Sequence, residues 1–102
     1  MDTQNIIAKL IPLHPEKIIL FGSYAKSSVA KVGSDIDLLL VMNTDKRPAD
    51  RVKEVLKLVW GSIPHIEPQV LTPREFDKAI KENHFFITQE VIRNGKVIYE
   101  KN

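Results

Sequence analysis

Ile18-Ile19-Leu20-Phe21-Gly22-Ser23 and Asp35-Ile36-Asp37-Leu38-Leu39-Leu40-Val41 are two apolar stretches separated by a polar spacer. Their short apolar runs predict two buried strands. Because side chains at i and i+2 of a strand share one face, Asp35 and Asp37 are expected side by side. Two adjacent carboxylates repel each other, so a cation between them is favoured over the alternative of a solvated strand start. Mg²⁺ suits such a pair, because it takes carboxylate and phosphate oxygens.

Two further positions could complete a phosphate-handling site. Gly22 allows close approach of the backbone, and Ser23 offers a hydroxyl and an N–H group where a helix could begin and bind phosphate. An ordinary turn is the alternative at this dipeptide. Glu67, at the start of a later apolar run, is the candidate for a third carboxylate that holds a metal or takes a proton. The alternative is an exposed residue on an edge strand, which composition alone favours.

Apolar spacing predicts alternating helices and strands, which indicates an α/β or α+β fold with a small sheet covered by helices. Pro68 indicates an edge strand or the start of a strand, and Thr72-Pro73-Arg74-Glu75 is a capping box. The predicted strands are Lys17–Phe21, Asp35–Met42, Ile66–Leu71 and Lys96–Glu100. Four helices are predicted to begin at Asp2 or Thr3, at Pro48, at Pro73 and at Phe85, and a short helix or turn is predicted over Tyr24–Ala30. The helix from Pro48 ends at Gly61 and has an apolar stripe of Val52, Val55, Leu56, Val59 and Trp60.

Bulk composition limits the classes of protein. The chain has 102 residues, 43% of them hydrophobic and 27% charged, which predicts a single domain over residues 1–102. A formal net charge of +2 gives no strong signal for nucleic acid. The absence of cysteine excludes disulfides and thiolate metal sites, and a cytoplasmic location is expected. The apolar runs are too short to cross a bilayer and no signal peptide is apparent, so no membrane association is expected.

Phe21-Gly22-Ser23-Tyr24-Ala25-Lys26 followed by Ser34-Asp35-Ile36-Asp37-Leu38 resembles the minimal nucleotidyltransferases of the DNA polymerase β superfamily. The resemblance implies a polymerase-β-like fold, a small mixed sheet flanked by helices. By resemblance, Gly22 and Ser23 match the residues that hold the nucleotide phosphates. Asp35, Asp37 and Glu67 match the catalytic carboxylates that bind two Mg²⁺ ions. The implied reaction transfers a nucleoside monophosphate, most often AMP from ATP, to a hydroxyl group.

Minimal members of this family are often paired with a small helical partner of the HEPN type. The resemblance therefore implies a toxin–antitoxin role, in which AMP is added to a tyrosine of the partner. Glu67 stands where relatives carry Asp, Pro68 follows it, and Lys26-Ser27 replaces Arg-Gly. These departures leave open a non-catalytic module that binds nucleotide or neutralises its partner by contact. An enzyme that modifies a small molecule would need a further substrate-binding domain.

Aromatic and histidine residues give weaker signals. Trp60, Phe85 and Phe86 lie among apolar residues, which predicts either core packing or contacts in a homo-oligomer or heteromer. His65 lies two positions from Glu67, and an exposed imidazole is the expected arrangement.

Overall fold

The sheet has four strands in the order β3-β2-β1-β4 in the computed structural model, which describes residues 3–22, 35–63 and 65–101. β1 is antiparallel to both β2 and β4, whereas β2 and β3 are parallel. The strands are β1 (Lys17–Phe21), β2 (Ile36–Val41), β3 (Ile66–Leu71) and β4 (Lys96–Glu100). The predicted α/β class with a small mixed sheet is therefore confirmed.

Helices cover both faces of the sheet. They are α1 (Thr3–Leu10), a 3₁₀ turn (Ile11–Leu13), α2 (Pro48–Val59), α3 (Pro73–Lys81) and a π-helix (Phe86–Arg93). The sequence predicted an ordinary helix from Phe85, whereas the structure has a π-helix there, with wider turns than an α-helix. The helix or turn predicted over Tyr24–Ala30 lies outside the described residues. No helix in the described ranges is long and apolar enough to span a membrane.

Period-two alternation in β1 and β2 sends buried side chains into two cores, one on each face of the sheet. The core beneath α1 and α2 contains Ile6, Leu10, Ile18, Leu20, Ile36, Leu38, Leu40, Met42, Val55, Val59, Ile63 and Val70. The core beneath α3 and the π-helix contains Ile19, Phe21, Leu39, Val41, Phe76, Ile87 and Val91. β2 is therefore apolar on both faces beyond its first two residues, and this burial fixes its register.

The predicted capping box begins α3. The Thr72 hydroxyl accepts a hydrogen bond from the Glu75 N–H at 3.1 Å, and Glu75 Oε1 accepts one from the Thr72 N–H at 2.8 Å. Pro73 fills the first helical position, where no N–H group is needed. Two of the unpaired N-terminal groups are thus satisfied locally, which explains why α3 starts directly after β3.

β3 is an edge strand, as Pro68 predicts. The Leu71 carbonyl accepts a hydrogen bond from the Met42 N–H at 3.0 Å, so odd-numbered residues of β3 direct their backbone groups toward β2. Alternation then directs the backbone of Pro68 and Val70 away from the sheet. Proline therefore removes no ladder hydrogen bond at this position. The outward Val70 carbonyl accepts a hydrogen bond from Arg51 Nη1 at 3.3 Å.

Three aromatic residues were predicted to lie either in the core or in an oligomer contact, and the structure exposes them to different degrees. Trp60 is 86% exposed and Phe85 is 74% exposed, so core packing is wrong for both. Trp60 has φ −55° and ψ 126°, so the chain has already left the helix there and helical spacing no longer applies. Phe86 is half-buried and packs edge-on against Phe21, with ring centroids 5.4 Å apart. Oligomer contact by the exposed pair stays a prediction.

Candidate active site

Two of the predicted acidic residues face each other across the sheet. Asp37 of β2 is in register with Glu67 of β3 and with Phe21 of β1. Residues paired across neighbouring strands point to the same face. Leu71 packs in the core beneath α3, so the period of two places Glu67 on that face with Asp37. The two carboxylates therefore lie together where β1 ends and both β2 and β3 begin.

Asp35 joins this pair from the residue directly before β2. The pKa of Glu67 is raised above its ordinary value, chiefly by hydrogen bonding with Asp37 and next by the negative charge of Asp35. Crowded like charges have this effect, because ionising one carboxylate beside two others is unfavourable. Asp35 and Glu67 are exposed, and Asp37 is half-buried. We refer to Asp35, Asp37 and Glu67 as the acidic cluster.

Gly22 approaches the acidic cluster from the end of β1. Its φ of +75° lies in the left-handed region that glycine adopts readily. A Cβ atom at this position would lie 3.1 Å from Cγ of Asp37 and would overlap Oδ2. Both the backbone conformation and the space beside Asp37 therefore require glycine. Ser23, the second residue predicted to bind phosphate, lies outside the described residues.

The backbone of His65 holds the start of the site together. Its carbonyl accepts a hydrogen bond from the Ile36 N–H at 2.7 Å, which joins the first residue of β2 to the residue before β3. This bond ties together the chain directly after Asp35 and the chain shortly before Glu67. The His65 side chain is exposed, as expected.

The donor set of the acidic cluster suits a hard divalent cation, because it consists of carboxylate oxygens alone. Within the described ranges, however, no group of three or more His, Asp or Glu side chains is arranged as a metal site. The three carboxylates are thus close enough to alter the titration of Glu67 without converging on one point. Mg²⁺ commonly binds through one or two carboxylates, with water and substrate phosphates supplying the rest. An open arrangement fits that mode of binding.

Arg51 is a buried charge that the sequence analysis did not single out. It is 7% exposed, and its Nε donates to the Lys46 carbonyl at 2.7 Å. Its Nη1 donates to Glu75 Oε1 at 2.7 Å and to the outward Val70 carbonyl. Arg51 thereby joins α2, β3 and the start of α3 behind the site. Arg51 lies four residues before Val55 and therefore on the buried face of α2, and this spacing could have predicted its burial from the sequence.

Comparison with known sequences decides the family. The profile of the family described as "Polymerase beta, Nucleotidyltransferase" matches residues 4–102. The chain belongs to this nucleotidyltransferase family. The resemblance inferred from Gly22-Ser23 and from Asp35-Ile36-Asp37 is therefore confirmed.

One relative of this nucleotidyltransferase is the "Putative protein adenylyltransferase MJ1305" of Methanocaldococcus jannaschii, which is 34% identical. The match covers 83% of the present chain and 58% of the relative. The nucleotidyltransferase chain thus spans less than two thirds of that relative's length. No solved structure matches the chain.

Proposed function

We propose that this nucleotidyltransferase is a Mg²⁺-dependent adenylyltransferase that transfers AMP from ATP to a hydroxyl group. The observation that carries the proposal is the register of Asp37 with Glu67 beside the close approach of Gly22. Family membership supports transfer of a nucleotide. The name of the archaeal relative, which describes an adenylyltransferase of proteins, supports AMP and a protein acceptor.

The residues of the acidic cluster have distinct roles in this proposal. Asp35 and Asp37 hold Mg²⁺, and Gly22 and Ser23 hold the β- and γ-phosphates. Mg²⁺, when bound, neutralises charge on the phosphates and on the leaving group. Because Gly22 has no Cβ, the Asp37 carboxylate lies directly against the end of β1, so phosphates held at Gly22 would lie beside a metal-binding carboxylate.

The reaction forms one bond and breaks one. The acceptor hydroxyl oxygen attacks the α-phosphorus, the bond from that phosphorus to the bridging oxygen breaks, and pyrophosphate leaves. Glu67 takes the hydroxyl proton, because its register with Asp37 places a carboxylate beside the proposed metal site. If Glu67 serves as a metal ligand instead, Glu67→Gln weakens binding of Mg²⁺-ATP. If it is the proton acceptor, Glu67→Gln lowers kcat and leaves that binding unchanged.

The proposed acceptor is a tyrosine of a small HEPN-type partner, which assigns the pair to a toxin–antitoxin system. The tyrosine and the HEPN-type partner are supported by the family resemblance alone, whereas the name of the relative supports only a protein acceptor. Purified partner with its tyrosines replaced by phenylalanine is expected to lose labelling by the transferase. Undiminished labelling of that partner would contradict a tyrosine acceptor.

The transferase itself is tested with ATP labelled at the α-phosphate, Mg²⁺ and an extract of the source cells. Wild type is expected to label an acceptor, and the Asp35→Asn, Asp37→Asn variant is expected to label none. Asp45→Asn with Asp50→Asn is the matched control, since it removes two exposed carboxylates outside the acidic cluster. Equal labelling by the Asp35 and Asp37 variant would refute the proposal. Binding of Mg²⁺-ATP without transfer by wild type would favour the non-catalytic module.

A further inference from the structure

Trp60 is the single tryptophan of the chain, and it projects from the end of α2. Its side chain is 86% exposed. Its extended backbone angles carry it away from the helix axis, and no role in the core accounts for it. Tryptophan is prominent among the residues that dominate binding energy at protein interfaces, because it buries a large apolar area.

Trp60 lines two concave pockets. One has a volume of ≈ 530 Å³, and its lining includes Leu56, Ile63 and Ile66. The other has a volume of ≈ 390 Å³ and is lined by Lys53, Leu56, Lys57 and Trp60. Such pockets are large enough to receive a side chain of another molecule. We define the Trp60 surface by Trp60, Leu56, Ile63, Ile66, Lys53 and Lys57.

The charge of the Trp60 surface has one sign. Lys53 and Lys57 line the smaller pocket together with Trp60. Among the described residues that line the two pockets, none is acidic. Complementary potentials orient partners and exclude those of like charge, so this surface favours an acidic partner over a basic one.

The Trp60 surface also borders the acidic cluster. Ile66 lines the larger pocket, and the next residue, Glu67, belongs to the cluster. Because side chains alternate along β3, the two lie on opposite faces of the same strand end. A protein held on the Trp60 surface would therefore reach the site around the start of an edge strand.

We infer that the Trp60 surface docks an acidic segment of the acceptor protein, which inserts an aromatic or aliphatic side chain beside Trp60. Assignment of this segment to the acceptor rests on the proposed transferase function. Docking of this kind lets a small domain select a protein substrate, while the acidic cluster carries out the transfer.

Fluorescence of the single tryptophan tests the docking step without knowledge of the natural acceptor. The probe is a mixture of synthetic twelve-residue peptides that contain no tryptophan. Each peptide has one aromatic or aliphatic residue at its centre and glutamate at most other positions. A second mixture carries lysine in place of glutamate. The acidic mixture is expected to shift Trp60 emission to shorter wavelength, and the basic mixture is not.

A charge-reversed variant and a matched control make the fluorescence result specific. Lys53→Glu with Lys57→Glu is expected to weaken acidic-peptide binding about tenfold or more, since both attractive charges become repulsive. Lys9→Glu with Lys81→Glu makes the same change in net charge at two exposed helical positions elsewhere. Equal binding of both mixtures, equal weakening in both variants, or no binding would overturn the inference. A shift caused by protein concentration alone would also overturn it, because a second copy would then cover Trp60.

Transfer to protein separates failure of docking from failure of the enzyme. Trp60→Ala is expected to reduce labelling of the protein acceptor about thirtyfold, as loss of a central anchor does, with binding of Mg²⁺-ATP unchanged. Phe85→Ala removes another highly exposed aromatic side chain of the described residues and is expected to change neither quantity. Full labelling by Trp60→Ala would refute docking and leave the transferase in place. Absence of labelling by wild type, with acidic peptides still bound, would refute the transferase. Docking of acidic segments on the Trp60 surface would still stand.

Discussion

Replacement of Gly22 by alanine tests the contact between the end of β1 and the acidic cluster. A Cβ atom there meets two separate obstacles, the positive φ of +75° and the carboxylate of Asp37. Gly61 offers a control for the first obstacle alone. Its φ is +77°, and a Cβ atom on it would have no neighbour within 4 Å.

The two variants are expected to differ in free energy of unfolding by the cost of the contact. A left-handed conformation costs an alanine about 1 kcal/mol, so Gly61→Ala is expected to lose about that amount. Forcing an atom into occupied space adds about 1–3 kcal/mol, so Gly22→Ala is expected to lose about 2–4 kcal/mol in total. For a domain of this size, that loss lowers Tm by roughly 8–30 °C.

Urea unfolding of the two variants measures this difference, and a third background identifies its source. When Asp37 is replaced by alanine, the added Cβ no longer meets a carboxylate, so Gly22→Ala is expected to cost only about 1 kcal/mol there. In the wild-type background, a displaced Asp37 is also expected to reduce transfer about a hundredfold, because small misplacements of a catalytic group are costly. Equal losses for Gly22→Ala and Gly61→Ala, or no dependence on Asp37, would refute the close approach.

Three further predictions concern charged residues around the site. Arg51→Ala is expected to lose about 2–3 kcal/mol in urea unfolding, because it leaves the Val70 carbonyl and the Glu75 carboxylate without a buried cationic donor; a loss below about 1 kcal/mol would contradict that role. The pKa of Glu75 is lowered, first by the Thr72 N–H and then by Arg51, so its stabilisation is complete above the unfolded value of 4.5 and is lost as pH falls through the folded value. Glu75→Gln should therefore flatten the acid limb of a plot of Tm against pH, and an unchanged limb would refute the linkage. The pKa of Glu67 is raised, so its charge destabilises the folded domain as pH rises above 4.5 through the folded value. Glu67→Gln should raise the Tm of the metal-free domain at pH 7 and diminish transfer, and a lower Tm would show that Glu67 has a stabilising partner instead.

Local chemistry was sufficient to predict most of the elements. The bounds of β1 and β3 and the capping box before α3 agree with the sequence analysis, because each rests on residues adjacent in the chain. Gly61 lies two residues after the end of α2 and has a φ of +77°, in agreement with its predicted role in ending that helix. The predicted second strand was one residue too long at each end, since Asp35 and Met42 lie just outside β2.

Features that depend on distant residues were not predictable in the same way. The contacts of Arg51 with Val70 and Glu75 join residues 19 and 24 positions apart, and only the folded chain brings them together. A role for Glu67 as the third carboxylate was implied by family resemblance alone, and its exposure on an edge strand, which composition favoured, is also observed. The π-helix was missed because a single eight-residue segment of apolar periodicity does not distinguish its wider winding from an α-helix.

The outward edge of β3 has a consequence for solubility and for the way in which other chains can bind. Pro68 offers no N–H group there, and the Val70 carbonyl is already engaged by Arg51. An incoming strand would therefore lose one donor at Pro68 and one acceptor at Val70, which makes this edge a weaker template for strand pairing. The same two positions disfavour a substrate peptide that lies alongside β3 as a fifth strand. Recognition near the acidic cluster is thus favoured through side chains rather than through strand addition.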